Sequence, residues 1–377
     1  MSSKTSYYTV GDRIHPSSEK ALIDFTKTKE AMTFHTGYDF YQKYPWKPEP
    51  MESLAYYKKK RAQQIRDKYK RVALAYSGGT DSHTILRSFV ENNIQLDEII
   101  INRTTHNQYR IWEFENITLP TLEKYLNKWK YKVKVNQTPS SMMQNVNDLL
   151  ASYKDDKYNG FFRQVVRTNF NPIIDYFNHR HNDFDLAKFN SNDCIVWGFE
   201  KPSLQIHNKM WCWQIHDKLW GNSDAHNEHC TSECFYISDD FPELTIKLSW
   251  TLAKFLDKKL TNEQKKDNMY IQKVQAYADG RFDGGLYMEC VHAMEYSAID
   301  PRLTDPNAKP EVQADRFNYF QKLKDEKFDR TLYNEAMSYI ENVRSQISED
   351  LKHKNNNQLV GIWTKPTPFM PVTYKNN

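Results

Sequence analysis

Val72-Ala73-Leu74-Ala75-Tyr76, then Ser77-Gly78-Gly79-Thr80-Asp81-Ser82, then His83-Thr84-Ile85-Leu86-Arg87-Ser88-Phe89-Val90 form the stretch whose reading decides the fold. Five consecutive apolar residues before a glycine-containing loop are too few for a helix and suit a buried strand. In the eight residues after the loop, Ile85, Leu86, Phe89 and Val90 recur three and four apart, as on one helix face. The stretch therefore reads as strand, tight loop, helix.

Downstream the same alternation continues. Glu98-Ile99-Ile100-Ile101-Asn102 suits a second buried strand, Leu119 to Lys130 a helix, and Tyr131-Lys132-Val133-Lys134-Val135 a third strand. A helix over Gly160 to His179 is expected before Cys194-Ile195-Val196-Trp197-Gly198, another core strand that stops at a glycine. Strands alternating with helices imply an α/β fold built on a parallel, doubly wound sheet with right-handed crossovers. Open sheets of this kind bind ligands at their carboxyl edge, so loop 77–82 and the later loop Phe199-Glu200-Lys201-Pro202 are expected at one edge.

Upstream, Pro45, Pro48 and Pro50 speak against a long helix, and residues 1–50 read as an arm lying on the body. Met51 to Lys70 has helix-forming composition, with Lys58-Lys59-Lys60-Arg61 expected on its solvated face. Residues 51–260 are assigned to the α/β domain and 261–377 to a mainly helical C-terminal region, with a helix over Leu244 to Leu256 preceding the boundary.

Composition narrows the function. A chain of 377 residues can bury a sizeable core, and 39% hydrophobic residues with only 11 glycines exclude a fibre or a disordered tail. The 52 basic against 48 acidic side chains leave +4, too small an excess to call for nucleic acid by itself. No window approaches the roughly 18 apolar residues of a membrane span, so no membrane partner is expected. Five cysteines, an odd number, do not suggest a disulfide framework; the expected place is the cytoplasm. The many Lys, Asn, Tyr and Phe residues match an AT-rich genome, a phage's or a small bacterium's; for a phage the host cytoplasm is meant.

The loop carries the chemistry. A loop between a buried strand and a helix offers an anion its backbone N–H groups and the positive end of the helix dipole. Gly78 and Gly79 allow close approach, and Ser77, Thr80 and Ser82 add hydroxyls. Asp81 is a carboxylate beside that anion site, an arrangement that asks for a cation between them; Mg²⁺ bridging to a phosphate is the natural one. No lysine follows the glycines, which excludes the Walker A loop, and the dinucleotide fingerprint is absent as well.

Ser77-Gly78-Gly79-Thr80-Asp81-Ser82 resembles the Ser-Gly-Gly-x-Asp-Ser signature of the PP-loop ATP pyrophosphatases, the adenine nucleotide α-hydrolase-like, HUP-type superfamily. The resemblance spans roughly Val72 to Gly198. It implies ATP as ligand, pyrophosphate cradled by Ser77 to Ser82, Mg²⁺ near Asp81, and adenine against the strand around Ile101, Asn102 and Arg103. Gly198-Phe199-Glu200-Lys201-Pro202 and Asp240-Phe241-Pro242-Glu243-Leu244 point more loosely to asparagine-synthetase-like or queuosine-enzyme-like members found in phages. Ser2 stands where asparagine synthetase has its nucleophilic cysteine, and no glutaminase domain precedes the loop. Ammonia or an amine would then come from solution or a partner.

The reaction implied is attack of a small-molecule or nucleotide acceptor's oxygen on the α-phosphate, with pyrophosphate leaving and a nitrogen nucleophile capturing the adenylate. Lys201 and Lys247 are the candidate cations for the leaving group. Two other readings stay open: a sulfur-transfer or phosphoadenosine-phosphosulfate-reductase-like enzyme, and a nucleotide-binding protein without catalysis. His226, His229, Cys230 and Cys234, with Cys212 and His216 upstream, have the donor types of a structural zinc site, but a second matching pair is missing and a polar loop with reduced thiols is the preferred reading. Trp211, Trp213 and Trp220 are expected in the core rather than stacked on a substrate, and His179-Arg180-His181 at a helix end.

Overall fold

A computed structural model describes residues 7–16, 18–36, 41, 44–103, 114–127, 129–131, 134–139, 190–198, 202–215, 217, 231–275, 284–296, 330–351 and 362–374. Its first element is a small antiparallel sheet: β1 (Tyr7–Val10) lies between β2 (Arg13–His15) and, after α1 (Ser18–Thr28), β3 (Met32–His35). The N-terminal fifty residues are thus more than an arm. They do lie against the body: Phe34 N–H donates to Trp363 O at 2.9 Å, and Trp46 packs on Trp213 and Phe369.

The helix α2 (Leu54–Lys68) leads into β4 (Arg71–Ala75), α3 (Thr80–Val90) and β5 (Glu98–Arg103). A π-helical turn, Phe114–Thr118, opens α4 (Leu119–Leu126), followed by β6 (Lys134–Pro139) and β7 (Asp193–Trp197). The hairpin β8 (Ser203–His207) and β9 (Met210–Gln214) precedes β10 (Thr231–Cys234). Then come α5 (Pro242–Lys259), α6 (Asn268–Gln275), α7 (Gly284–Ala293), α8 (Arg330–Ser345) and β11 (Thr367–Pro371).

The central sheet has the order β10-β7-β4-β5-β6, every pair parallel. Both of its faces are apolar, as a parallel sheet covered on two sides requires. Val72, Leu74, Ile99, Ile101, Cys194 and Val196 join the main core, whereas the alternate residues Ala73, Ile100, Ile195 and Trp197 form a separate cluster. The expected parallel α/β sheet is therefore present. Its order reverses between β4, the first of its five strands along the chain, and β7, the fourth of them, which puts a crevice at the carboxyl ends of those two.

Three local expectations change. The third strand lies at Lys134–Pro139 instead of 131–135, because Trp129 turns back onto Leu126 O and edge-packs on Tyr131, spending both aromatics on the connection. The helix after the loop starts at Thr80, so half of the signature forms its first turn. The basic run in α2 divides: Lys59 and Lys60 are exposed as expected, whereas Lys58 and Arg61 turn inward. Arg61 is fully buried and Lys58 nearly so; their cationic heads find acceptors inside. Arg61 donates to Glu233 Oε2 at 2.7 Å and to Cys234 O at 3.0 Å on the edge strand β10, and Lys58 Nζ donates to Met294 O and Glu295 O at 2.8 and 2.9 Å, beyond the end of α7.

The second sheet, order β11-β9-β8, joins residues on both sides of position 260. Trp211 and Trp213 are buried in it, as expected for core residues. The exposed edge that β8 would present is covered by side-chain amides of α6. Asn268 exchanges both bonds with Ile206, Oδ1 accepting at 2.7 Å and Nδ2 donating at 3.0 Å; Gln275 does the same with Leu204 at 2.8 and 2.9 Å. The two amides stand seven residues apart on one face of α6, and their partners Ile206 and Leu204 two residues apart on the same edge of β8. Replacing Gln275 with Leu would leave Leu204 N–H and C=O buried without these partners, and urea unfolding should register a loss of at least about 2 kcal/mol.

Candidate functional site

The loop between β4 and α3 is held by its own serines. Ser77 N–H donates to Ser82 Oγ at 3.2 Å, Ser82 Oγ donates to Gly79 O at 3.1 Å, and Gly79 N–H donates to Ser77 Oγ at 3.3 Å. Because Ser82's single proton goes to Gly79, Ser77 is the donor in the 3.1 Å pair between the two hydroxyls. These serines therefore shape the loop as well as line it. The first N–H to reach back along the helix is that of His83, to Gly79 O at 3.0 Å; the N–H groups ahead of it, beginning at Thr80, project from the helix end.

Two neighbours close on this loop from other elements. Gly78 has φ +76°, and a Cβ there would lie 2.1 Å from Thr118 Oγ1, at the end of the π-turn. Gly198, just past β7, sits so close to the first turn of α3 that a Cβ would lie 3.0 Å from Ser82 N and 3.2 Å from Asp81 C. Both close approaches need glycine. They bring the exits of β4 and β7 and the start of α4 together at the switch point, with Asp81 half-exposed among them.

Behind the loop, Tyr236 Oη donates to Asp81 O at 2.7 Å. His83 is fully buried, 3.0 Å from Tyr76 Oη through Nδ1, with Tyr125 edge-on at 4.8 Å between ring centres. Burial, then the charge of Arg87, lowers its pKa to about 4, and the positive end of α3 also disfavours an imidazolium. An unfolded histidine titrates near 6.5. Between those values the unfolded chain holds more protons, so the stabilisation is complete above pH 6.5 and lost as pH falls toward 4. From pH 7 to pH 5 the unfolding free energy should drop by roughly 2 kcal/mol on this account, a slope that His83→Gln removes.

The remaining candidates divide. Ser77, Gly78, Gly79, Thr80, Asp81 and Ser82 are together in the loop and first helical turn. Ile101 is on β5, beside β4, with its side chain in the main core, so what it offers a ligand is backbone; Asn102 continues the strand opposite Thr138. The Lys247 ammonium bonds Glu49 Oε1 and Pro50 O, both at 2.9 Å, tying α5 to the N-terminal segment. Its helical position carried no sign of Glu49, 198 residues away.

Lys201, with Phe199 and Glu200, lies outside the described residues, as do the 160–179 helix, residues 179–181, His216, Trp220, His226, His229 and Cys230. Cys234 ends β10, and Cys212 is buried in β9, where burial pushes its thiol pKa up and away from a reactive thiolate. Among the described residues no group of three or more His, Cys, Asp or Glu is arranged to hold a metal, and no helix is long and apolar enough to cross a membrane. Thr118 and Tyr236 are site neighbours that carried no signal in the sequence; Gly198, which ends the apolar run expected to finish at this edge, is found there against the first turn of α3. No family model and no curated protein matches the chain.

Proposed function

We propose that the chain binds ATP with Mg²⁺ on loop 77–82 and cleaves it between the α- and β-phosphates, as the PP-loop pyrophosphatases it resembles do. The observation that carries the reading is the place of Ser77-Gly78-Gly79-Thr80-Asp81-Ser82: at the carboxyl end of the sheet's first strand, at the switch point, with Gly78 close against Thr118 and with Gly198, past β7, close against Ser82 and Asp81. Backbone N–H groups at the start of α3 and the helix dipole suit the leaving pyrophosphate. Asp81, in the same turn, suits a hard cation that ligates oxygen, and Mg²⁺ would neutralise charge on the phosphates.

In the first step an acceptor's carboxyl or carbonyl oxygen forms a bond to the α-phosphorus while the bond to the bridging oxygen breaks and pyrophosphate departs. A nitrogen nucleophile then bonds to the activated carbon, loses a proton, and AMP leaves with the former acceptor oxygen. The chain's part in the first step is alignment and charge stabilisation. Titration with α,β-methylene-ATP, which keeps the phosphate charges but resists this cleavage, tests the binding half. Binding should strengthen with Mg²⁺ in the wild type and lose that dependence in Asp81→Asn; a wild type that ignores the analogue would contradict the reading.

A further inference from the structure

We propose that Tyr236 is a positioning residue for this site, holding the first turn of α3 in the one arrangement that lets Asp81 engage the nucleotide's cation. The inference rests on the ATP reading for its ligand but on separate contacts for its geometry. Tyr236 belongs to the segment between β10 and α5, 155 residues from Asp81 in the chain. Its Oη reaches the backbone carbonyl of Asp81 at 2.7 Å, a short hydrogen bond from a fully buried side chain.

The tyrosine itself has little freedom. Phe235 meets its ring edge-on at 5.2 Å and Tyr296 lies against it at 5.1 Å. Tyr296 in turn sits under the Lys58 ammonium, 5.2 Å from its ring centre, and that ammonium is held by Met294 O and Glu295 O. On the backbone side, Tyr236 O accepts from Thr245 Oγ1 at 2.7 Å, which fixes the segment to α5. The phenol oxygen also interacts with the side chains of Thr84 and Tyr296, which leaves a rigidly held hydroxyl whose proton goes to the Asp81 carbonyl. Burial, with the nearby Asp81 charge, raises its pKa well above the ordinary value, so it keeps its proton across the physiological range.

Inside a helix a carbonyl already faces the N–H four residues on, so the fold does not require this extra donor. Its distinct effect is on placement. The first turn of a helix is where fraying begins, and here that turn bears the carboxylate and the projecting N–H groups. A bond from a rigid side chain to Asp81 O fixes the turn's rotation and so the direction in which the carboxylate leaves the backbone. Small errors there weaken cation engagement more than they weaken the fold.

Tyr236→Phe keeps both ring contacts and removes only the hydroxyl. With α,β-methylene-ATP as probe, the Mg²⁺ concentration at half-maximal enhancement of binding should rise at least fivefold, while affinity measured without Mg²⁺ stays within twofold. Amide exchange in the unliganded variant should quicken about tenfold at His83 and Ile85 and stay unchanged at Phe89 and Val90. A uniform loss of affinity with and without Mg²⁺ would mean a merely structural role and overturns the proposal, as does an unchanged Mg²⁺ midpoint. Should the wild type fail to bind the probe, the ATP reading falls by itself; the exchange measurement then decides the positioning role, supported by local quickening and overturned by none.

Discussion

Gly78→Ala is expected to lower the affinity for Mg²⁺ and α,β-methylene-ATP by about 100-fold, while Gly79→Ala next to it changes it by less than about fivefold. The difference lies in the backbone. Gly78 stands at φ +76°, where an L-residue costs roughly 1–2 kcal/mol, and the new Cβ would meet Thr118 Oγ1 at 2.1 Å and Thr118 Cβ at 3.0 Å. Thr118 is buried at the junction of the π-turn and α4, so it has little room to withdraw, and the loop must give instead. Displacing even one N–H from a charged phosphate oxygen costs about 1.5–3 kcal/mol. Gly79 is the N-cap of α3 at φ −75°, and a Cβ there finds only Ser77 Oγ, at 3.4 Å. Thr118→Gly should restore part of what Gly78→Ala loses, since it removes the collision and leaves the backbone strain. Equal losses at the two glycines would show that the close approach of Thr118 does not shape the site.

Arg61→Met is the change with the largest expected effect on stability, about 3–5 kcal/mol by denaturant unfolding. Arg61 is completely buried, and its guanidinium meets Glu233 Oε2, Cys234 O and Gln64 Oε1. Glu233 also accepts from Lys68 Nζ at 2.9 Å and Tyr69 Oη at 2.5 Å. Burial alone would raise the pKa of Glu233; Arg61, with Tyr69 and Lys68, outweighs it and holds the carboxyl below its ordinary value. The stabilisation from that carboxylate is accordingly present above its unfolded pKa and lost as pH falls through the lower folded value. Methionine fills much of the arginine's volume but leaves Glu233 facing an apolar neighbour. Adding Glu233→Gln to Arg61→Met should recover a large part of the loss, because the buried charge goes with it. A double variant no more stable than the single one would mean that the arginine's packing, not its charge, holds β10 to α2.

Much of the central sheet could be read directly. Val72–Tyr76, Glu98–Asn102 and Cys194–Gly198 are short apolar runs because strands buried on both faces need no polar alternation, and they fall on β4, β5 and β7. The second sheet was hidden for identifiable reasons. Its hairpin turns at Asn208 and Lys209, both at positive φ, +49° and +61°, but without the glycine that marks such a turn. β11 contains Pro368 and Pro371, which speak against a strand in sequence and are tolerated here because β11 is an edge.

The candidate site divides along the same line. Its loop is contiguous and carries its chemistry in six residues. Its neighbours are tertiary: Thr118 is 40 positions beyond Gly78, and Tyr236 reaches Asp81 through folding alone. The buried roles of Lys58 and Arg61 could not be read from a basic run, since their acceptors are backbone carbonyls and a glutamate from distant segments.

The most direct test is the position of cleavage in ATP. Purified protein, Mg²⁺ and ATP labelled in the α-phosphate are incubated with pooled carboxylate metabolites and nucleotides plus an ammonium salt, and the labelled products are separated. Labelled AMP with an equal amount of pyrophosphate is expected from the wild type, and neither from Asp81→Ala. Labelled ADP with inorganic phosphate, or turnover undiminished in the variant, would contradict the proposed function of loop 77–82.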